Sequence, residues 1–173
     1  MKKYSLVIHP EELLEDINKI KQDLKSVIGW YSSVNSLAHF TICEFFADNL
    51  QLNIVMKEVS TLISNWPTQL ITLHGFGSFE NGAYYIKPDE PSTIYLEELF
   101  EAVGSRVKQV IPDVYYSTYP HLSIGRRLDK AQLQIAKENY SSYSNTFLCK
   151  GVMLREYNPI RRQFDLKEFI QFQ

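Results

Sequence analysis

Two short stretches decide the reading of this chain: Ala38-His39-Phe40-Thr41-Ile42 and, 82 positions further on, Pro120-His121-Leu122-Ser123-Ile124. Each is an apolar run interrupted at alternate positions by a histidine and a hydroxyl. Side chains of a strand point alternately to opposite faces, so His39 and Thr41 share one face and Phe40 and Ile42 the other. His121 and Ser123 stand against Leu122 and Ile124 in the same way. Each stretch reads as a strand with one polar and one apolar face.

The chain around them alternates in a regular order. A buried strand over 4–8 precedes a helix from Pro10, whose apolar positions Leu13, Leu14, Ile17, Ile20, Leu24, Val27 and Ile28 recur at helical spacing. The first His strand covers 37–45, a helix follows over 50–66 until Pro67 stops it, and 69–76 is a third strand. The order then returns: a strand over 83–87, a helix over 92–110 ending before Pro112, the second His strand over 120–125, a helix over 129–140 capped by Asp129, and a strand over 146–156. A last strand spans 163–172. Two passes of strand, helix, His strand, helix, strand read as a duplication with helix and strand mixed throughout, an α+β chain. The halves divide near position 80, giving lobes of about 1–80 and 81–173 within one domain of 173 residues.

Composition sets the class. At 45% hydrophobic the chain has the apolar material for one sizeable core, and its 22% charged residues exclude a disordered chain. The net charge of −2 argues against a general nucleic-acid coat. The sign is uneven, however: from Gly104 onward Lys and Arg outnumber Asp and Glu by 11 to 6, leaving 7 against 14 before it. The second half is the side suited to an anion, although solvated helix faces would give the same count. Cys43 and Cys149 form no CxxC pair and no zinc spacing. The apolar run before His9-Pro10 is too short for a signal peptide and no stretch approaches a membrane span, so the expected place is the cytoplasm, with no membrane partner.

If the two His strands lie beside one another, two imidazoles and two hydroxyls converge. A neutral imidazole can take a proton from an attacking hydroxyl while a protonated one gives a proton to the leaving oxygen. Hydroxyl donors aimed at non-bridging phosphate oxygens stabilise the charge that builds there. Such a set suits phosphodiester chemistry and requires neither metal nor cofactor. A lone strand histidine is more often structural; two copies in matching places among only four histidines are not explained that way. His9 reads as a surface turn residue and His74 as a strand-end residue. Cys43 shares the parity of His39 and Thr41 and so faces the same side. Phe79, after Gly77-Ser78, is assigned to substrate as a stacking surface for a base, with core packing as the alternative. Arg155, Arg161 and Arg162 read equally as a phosphate track or a charged turn.

The stretch Tyr119-Pro120-His121-Leu122-Ser123-Ile124-Gly125-Arg126, together with His39-Phe40-Thr41, resembles the paired motifs of the 2H phosphoesterase superfamily, which includes 2'-5' RNA ligases and 2',3'-cyclic phosphodiesterases. The resemblance implies a two-lobed duplicated fold, two mainly antiparallel sheets flanking a central groove with helices outside. It implies His39 and His121 as the acid–base pair, Thr41 and Ser123 on the phosphate, and Arg126 as a substrate-binding residue. Alternation from His121 puts Arg126 on the opposite face, and a bulge or strand end at Gly125 would turn it toward the phosphate. Cys43-Glu44-Phe45-Phe46 departs from the ligase branch, where a Phe-Leu-Gly-like continuation is usual, which bears on the substrate. The expected activity is metal-independent phosphodiesterase action on a 2',3'-cyclic phosphate or a 2'-5'-linked nucleotide or RNA end, by a monomer. A non-catalytic nucleotide- or RNA-binding module and a domain with both histidines packed structurally stand as the alternatives.

Overall fold

The computed structural model describes residues 1–172. In chain order its elements are β1 (Lys2–Ile8), a 3-10 turn (Glu11–Leu13) leading into α1 (Leu14–Ile28), β2 (Phe40–Ala47), α2 (Asn49–Ile63), β3 (Gln69–Ser78), β4 (Tyr84–Pro88) and α3 (Glu90–Val110). Then come β5 (Tyr115–Tyr116), β6 (Leu122–Gly125), α4 (Lys130–Asn139), β7 (Ser144–Cys149), β8 (Gly151–Asn158) and β9 (Gln163–Gln171). The repeated order is present, with the two-residue β5 added before the second His motif.

The duplication extends to how the helices start. α2 follows β2 and α4 follows β6, and each opens with an Asp whose side chain accepts from the backbone of a Gln three residues on, while that Gln accepts from the Asp backbone: Asp48 with Gln51, Asp129 with Gln132. This reciprocal cap satisfies two otherwise orphaned N–H groups and fixes where each strand yields to its helix. α3 is capped by Asp89 with Pro91 in its first turn, and Pro112 follows its end.

The strands form one curled antiparallel sheet in the order β7-β3-β4-β6-β2-β1-β8-β9, with β5 paired to β2. The two expected sheets are its halves, β7-β3-β4-β6 and β2-β1-β8-β9, and the two strands that follow the histidines are neighbours at the junction. One ladder pair, Phe40 opposite Leu122, joins them.

Two expectations are corrected. The run 146–156 is two strands, because the chain turns at Lys150-Gly151; β7 pairs with β3, whereas β8 pairs with β1 and β9. Consequently the strand halves are not 1–80 and 81–173. β3, from the first half of the sequence, pairs with β4 and β7, and β8 and β9, from the second, complete the half that holds β1 and β2. The helices cross over as well: α1 packs against α4 and β6, while α2 packs against α3, β2 and β9.

Phe40, Ile42, Leu122 and Ile124 are fully buried in a single apolar cluster that also takes Leu6, Ile17, Leu24, Val55, Leu96, Leu99 and Val103 from the strands and helices. Burial of that kind is worth about 1.5–3 kcal/mol for each large aliphatic or aromatic side chain. It pins the apolar faces of β2 and β6 and thereby turns the alternate residues outward. No helix among the described residues is long and apolar enough to cross a membrane.

Candidate active site

Both histidines occupy the same local position, the residue immediately before a strand: His39 before Phe40 and His121 before Leu122. The first strand thus starts later than the sequence pattern gave it. In each, ring Nδ1 lies against the carbonyl two residues back, His39 to Leu37 O at 2.6 Å and His121 to Tyr119 O at 2.8 Å. A carbonyl oxygen only accepts, so Nδ1 carries the proton in both rings and the neutral ring keeps Nε2 as a free acceptor. Two imidazoles are held in one tautomer by the same backbone device.

The register relates them. With Phe40 opposite Leu122, extending the antiparallel ladder one residue each way sets Thr41 across from His121 and His39 across from Ser123. On the same face Tyr85 of β4 is opposite Ser123. Cross-strand partners have Cβ atoms roughly 5 Å apart and diagonal neighbours roughly 7–8 Å, which is the relation of His39 to His121.

A groove of about 400 Å³ opens there, lined by Thr41, Glu44, Phe79, His121, Ser123 and Arg126 among others. The hairpin turn between β3 and β4 supplies Phe79 and Asn81 to its wall. That turn depends on Gly82, whose φ is +82° and where a Cβ would collide with the Leu128 carbonyl oxygen. Phe79 packs edge-on to His121 with ring centroids 5.3 Å apart and lies 4.6 Å from Tyr85; Tyr119 closes the cluster. Phe79, Tyr85 and Tyr119 thus pack around the His121 ring.

Around His39 the surroundings are cationic. The ring is half-buried and stands 6.0 Å from His9, whose Nδ1 donates to Ala38 O at 2.7 Å. His9 is therefore no surface turn residue. Arg155, opposite Ser5 across β1 and β8, is 4% exposed, donates to Ser5 Oγ at 3.0 Å and makes no ion pair among the described residues. It is neither a charged turn nor a surface phosphate track. Lys21 of α1 is 1% exposed and holds the loop before His39 through Ser36 O at 2.7 Å. Its neighbour Tyr31 donates to the Lys21 carbonyl, so the loop is tied to α1 from both sides.

Burial drives His39 well below the ordinary imidazole range, and the charges of Arg155 and Arg126, joined by His9 only when it is protonated, press the same way against the opposing Leu37 carbonyl. His121 is lowered too, by burial first and then by Arg126. Burial carries His9 down to about 4. These histidines are neutral in the fold near neutrality, whereas an unfolded imidazole titrates at about 6.5. The unfolded chain therefore binds protons first as pH falls. The native state should lose stability from about pH 6.5 down through pH 4, at about 1.4 kcal/mol per pH unit for each proton that only the unfolded chain takes up. Thermal melts across pH 4–7 check this, and a midpoint unchanged over that range would contradict the neutral assignment.

Sequence reasoning placed Thr41, His121, Ser123, Phe79 and Arg126, and all five line the groove; His39 stands beside the lining, facing Ser123 on the extended register. For Arg126 the strand ends at Gly125, the register shifts opposite Ile124, and Arg127 turns left-handed at φ 56°, which brings both arginines to the groove. His74 is exposed and outside it. Cys43 does not face the cleft: a register shift between Leu6 and Val7 reverses the parity of β2 beyond Ile42, so Cys43 is buried in the core and Glu44 takes the groove position. Glu44, with Ser117 and Asn81, was not found from sequence, and only the bulge would have signalled Glu44.

The model of the 2'-5' RNA ligase superfamily matches residues 9–160. Among solved structures, E. coli LigT complexed with 3'-AMP superposes with a TM-score of 0.73 at 10% identity, covering 99% of this chain and 98% of that one. TT0787 of Thermus thermophilus does so with a TM-score of 0.71 at 16% identity over 99% and 98%. A further structure described as a phosphoesterase gives 0.67 at 12% identity over the same shares. At those identities the likeness is one of fold. No curated protein matches the sequence.

Proposed function

This chain belongs to the 2'-5' RNA ligase superfamily, and we propose that it is a phosphoesterase acting on 2',3'-cyclic phosphate or 2'-5'-linked ends of nucleotides or RNA, with His39 and His121 as a reciprocal acid–base pair. The observation that carries this reading is the matched backbone tether: both rings donate Nδ1–H to the carbonyl two residues back and present Nε2.

In ring opening of a cyclic phosphate, water adds to phosphorus and one P–O bond to the ribose breaks. One neutral imidazole takes the proton of the water on Nε2, and the other, protonated, returns a proton from Nε2 to the departing ribose oxygen. The pair ends with its protons exchanged, and the net charge of the two rings is unchanged. Thr41 and Ser123 donate to the non-bridging oxygens, and Arg126 answers the charge that gathers as water adds. All proton transfers are made by imidazole, so the reaction is expected to persist in EDTA. The lowered values of both histidines suit the base; the substrate's own negative charge, arriving between them, restores one proton to serve as the acid.

The test is product analysis after incubation, in EDTA, with 2',3'-cyclic nucleotides and with 2'-5'-linked dinucleotides. One phosphomonoester isomer from the cyclic substrate is the expected result. Binding of nucleotide with no product from any of these would replace the enzyme by a binding module.

A further inference from the structure

We propose that a second cleft, opening off the groove at Glu44 and Tyr115, is the subsite for the base of a neighbouring nucleotide, so that the preferred substrate is an RNA chain of two or more nucleotides; this rests on the phosphoesterase reading above. The cleft has a volume of about 580 Å³ and is lined by Lys3, Glu44, Phe46, Gln51, Asp113 and Tyr115 with adjoining apolar residues. Glu44 and Tyr115 line both spaces, so the two adjoin along that edge.

The backbone builds that shared edge. The register shift between Leu6 and Val7 moves Cys43 and Phe45 into the core and turns Glu44 and Phe46 out beside Thr41. Tyr115 joins from β5, directly opposite Glu44. The row Thr41, Glu44, Phe46 thus runs along β2 away from the histidines, with Phe46 at most about 16 Å of strand beyond Thr41. Phe46 is 57% exposed and Tyr115 72% exposed, two aromatic faces left open at the rim of one cleft.

Charge decides which part of a nucleotide belongs there. Glu44, Asp113 and Lys3 line the cleft, and Lys3 is already engaged by Glu44 at 2.5 Å. Two carboxylates against one paired ammonium make a poor seat for phosphate, while Arg126 and Arg127 line the groove where the scissile phosphate would lie. Uncharged aromatic bases stack on aromatic side chains irrespective of sequence, and a carboxylate accepts from the exocyclic amine of a base. The cleft therefore takes the base and leaves the phosphate at the histidines.

The experiment compares kcat/KM for a mononucleotide 2',3'-cyclic phosphate with that for a di- and a trinucleotide carrying the same cyclic-phosphate end. The longer substrates are expected to be preferred roughly 5- to 150-fold, the range of one base stack. Phe46→Ala should remove that preference and leave the mononucleotide rate unchanged, and Phe46→Trp should restore it. Equal kcat/KM for all lengths, or an equal loss on every substrate in Phe46→Ala, would overturn the subsite. If the wild type turns over none of them, the phosphoesterase reading fails instead. The subsite is then judged by Kd: tighter dinucleotide than mononucleotide binding that Phe46→Ala abolishes supports it, and equal binding overturns it.

Discussion

His39→Ala and His121→Ala should each lower kcat/KM for a 2',3'-cyclic phosphate roughly 10²- to 10⁴-fold, the usual worth of one positioned proton transfer. Neither change should unfold the protein. Both rings are half-buried at strand starts, and the apolar partners that anchor those strands, Phe40 and Leu122, are untouched. The double variant should be little worse than the poorer single one, because an acid and a base acting in one transition state lose their value together. Steady-state kinetics with a melting curve for each variant makes the measurement. A loss that merely followed the melting temperature would place the effect in the fold and not in the reaction.

Phe40→Ala should be among the most costly single changes to stability, about 3–5 kcal/mol, or roughly 6–20 °C in melting temperature for a chain of this size. Phe40 is fully buried, stacks on Phe147 with centroids 6.0 Å apart, and makes with Leu122 the one ladder pair among the described residues that joins the two halves of the sheet. Truncation leaves a cavity where β2 and β6 meet, and the residues on either side of it are His39 and Thr41. Turnover should therefore fall at temperatures well below the melting point, as the register that opposes Thr41 to His121 loosens. Calorimetry together with kinetics at low temperature tests both halves of the expectation; a loss below about 1 kcal/mol, less than the usual cost of such a truncation, would show that the junction is held elsewhere.

The alternation of residues along two strands was legible in the sequence and carried most of the site, because a polar residue at every second position of a strand with a buried face has only one side to occupy. It failed where the backbone departs from the two-residue period. The shift between Leu6 and Val7 exchanged Cys43 for Glu44, and nothing within β2 itself encodes that, since the irregularity arises in its pairing with β1. The helix periods were legible, as was the cap at Asp129; the matching Asp48 to Gln51 box needed coordinates to be recognised as its twin. The order of strands was not legible. A run from Thr146 to Glu156 reads as one strand until Lys150 and Gly151 turn it, and its two parts then serve opposite halves of the sheet. Buried cations were equally hidden: Arg155 and Lys21 look like solvated residues in a sequence, and only the structure shows Lys21 holding the loop before His39 through Ser36 and Arg155 buried against Ser5 of β1.

The proposed chemistry requires His39 and His121 to form one site. Imidazole nitrogen NMR during titration with a nucleoside 2'-monophosphate tests that most directly, with each ring assigned by its His→Ala variant. The expected spectrum has both rings in the Nδ1–H tautomer at neutral pH before ligand is added. Both should then shift together along a single binding curve, with His74 unmoved as the internal control. Movement of only one ring, or of neither, or an Nε2–H tautomer in either of them, would contradict a shared site.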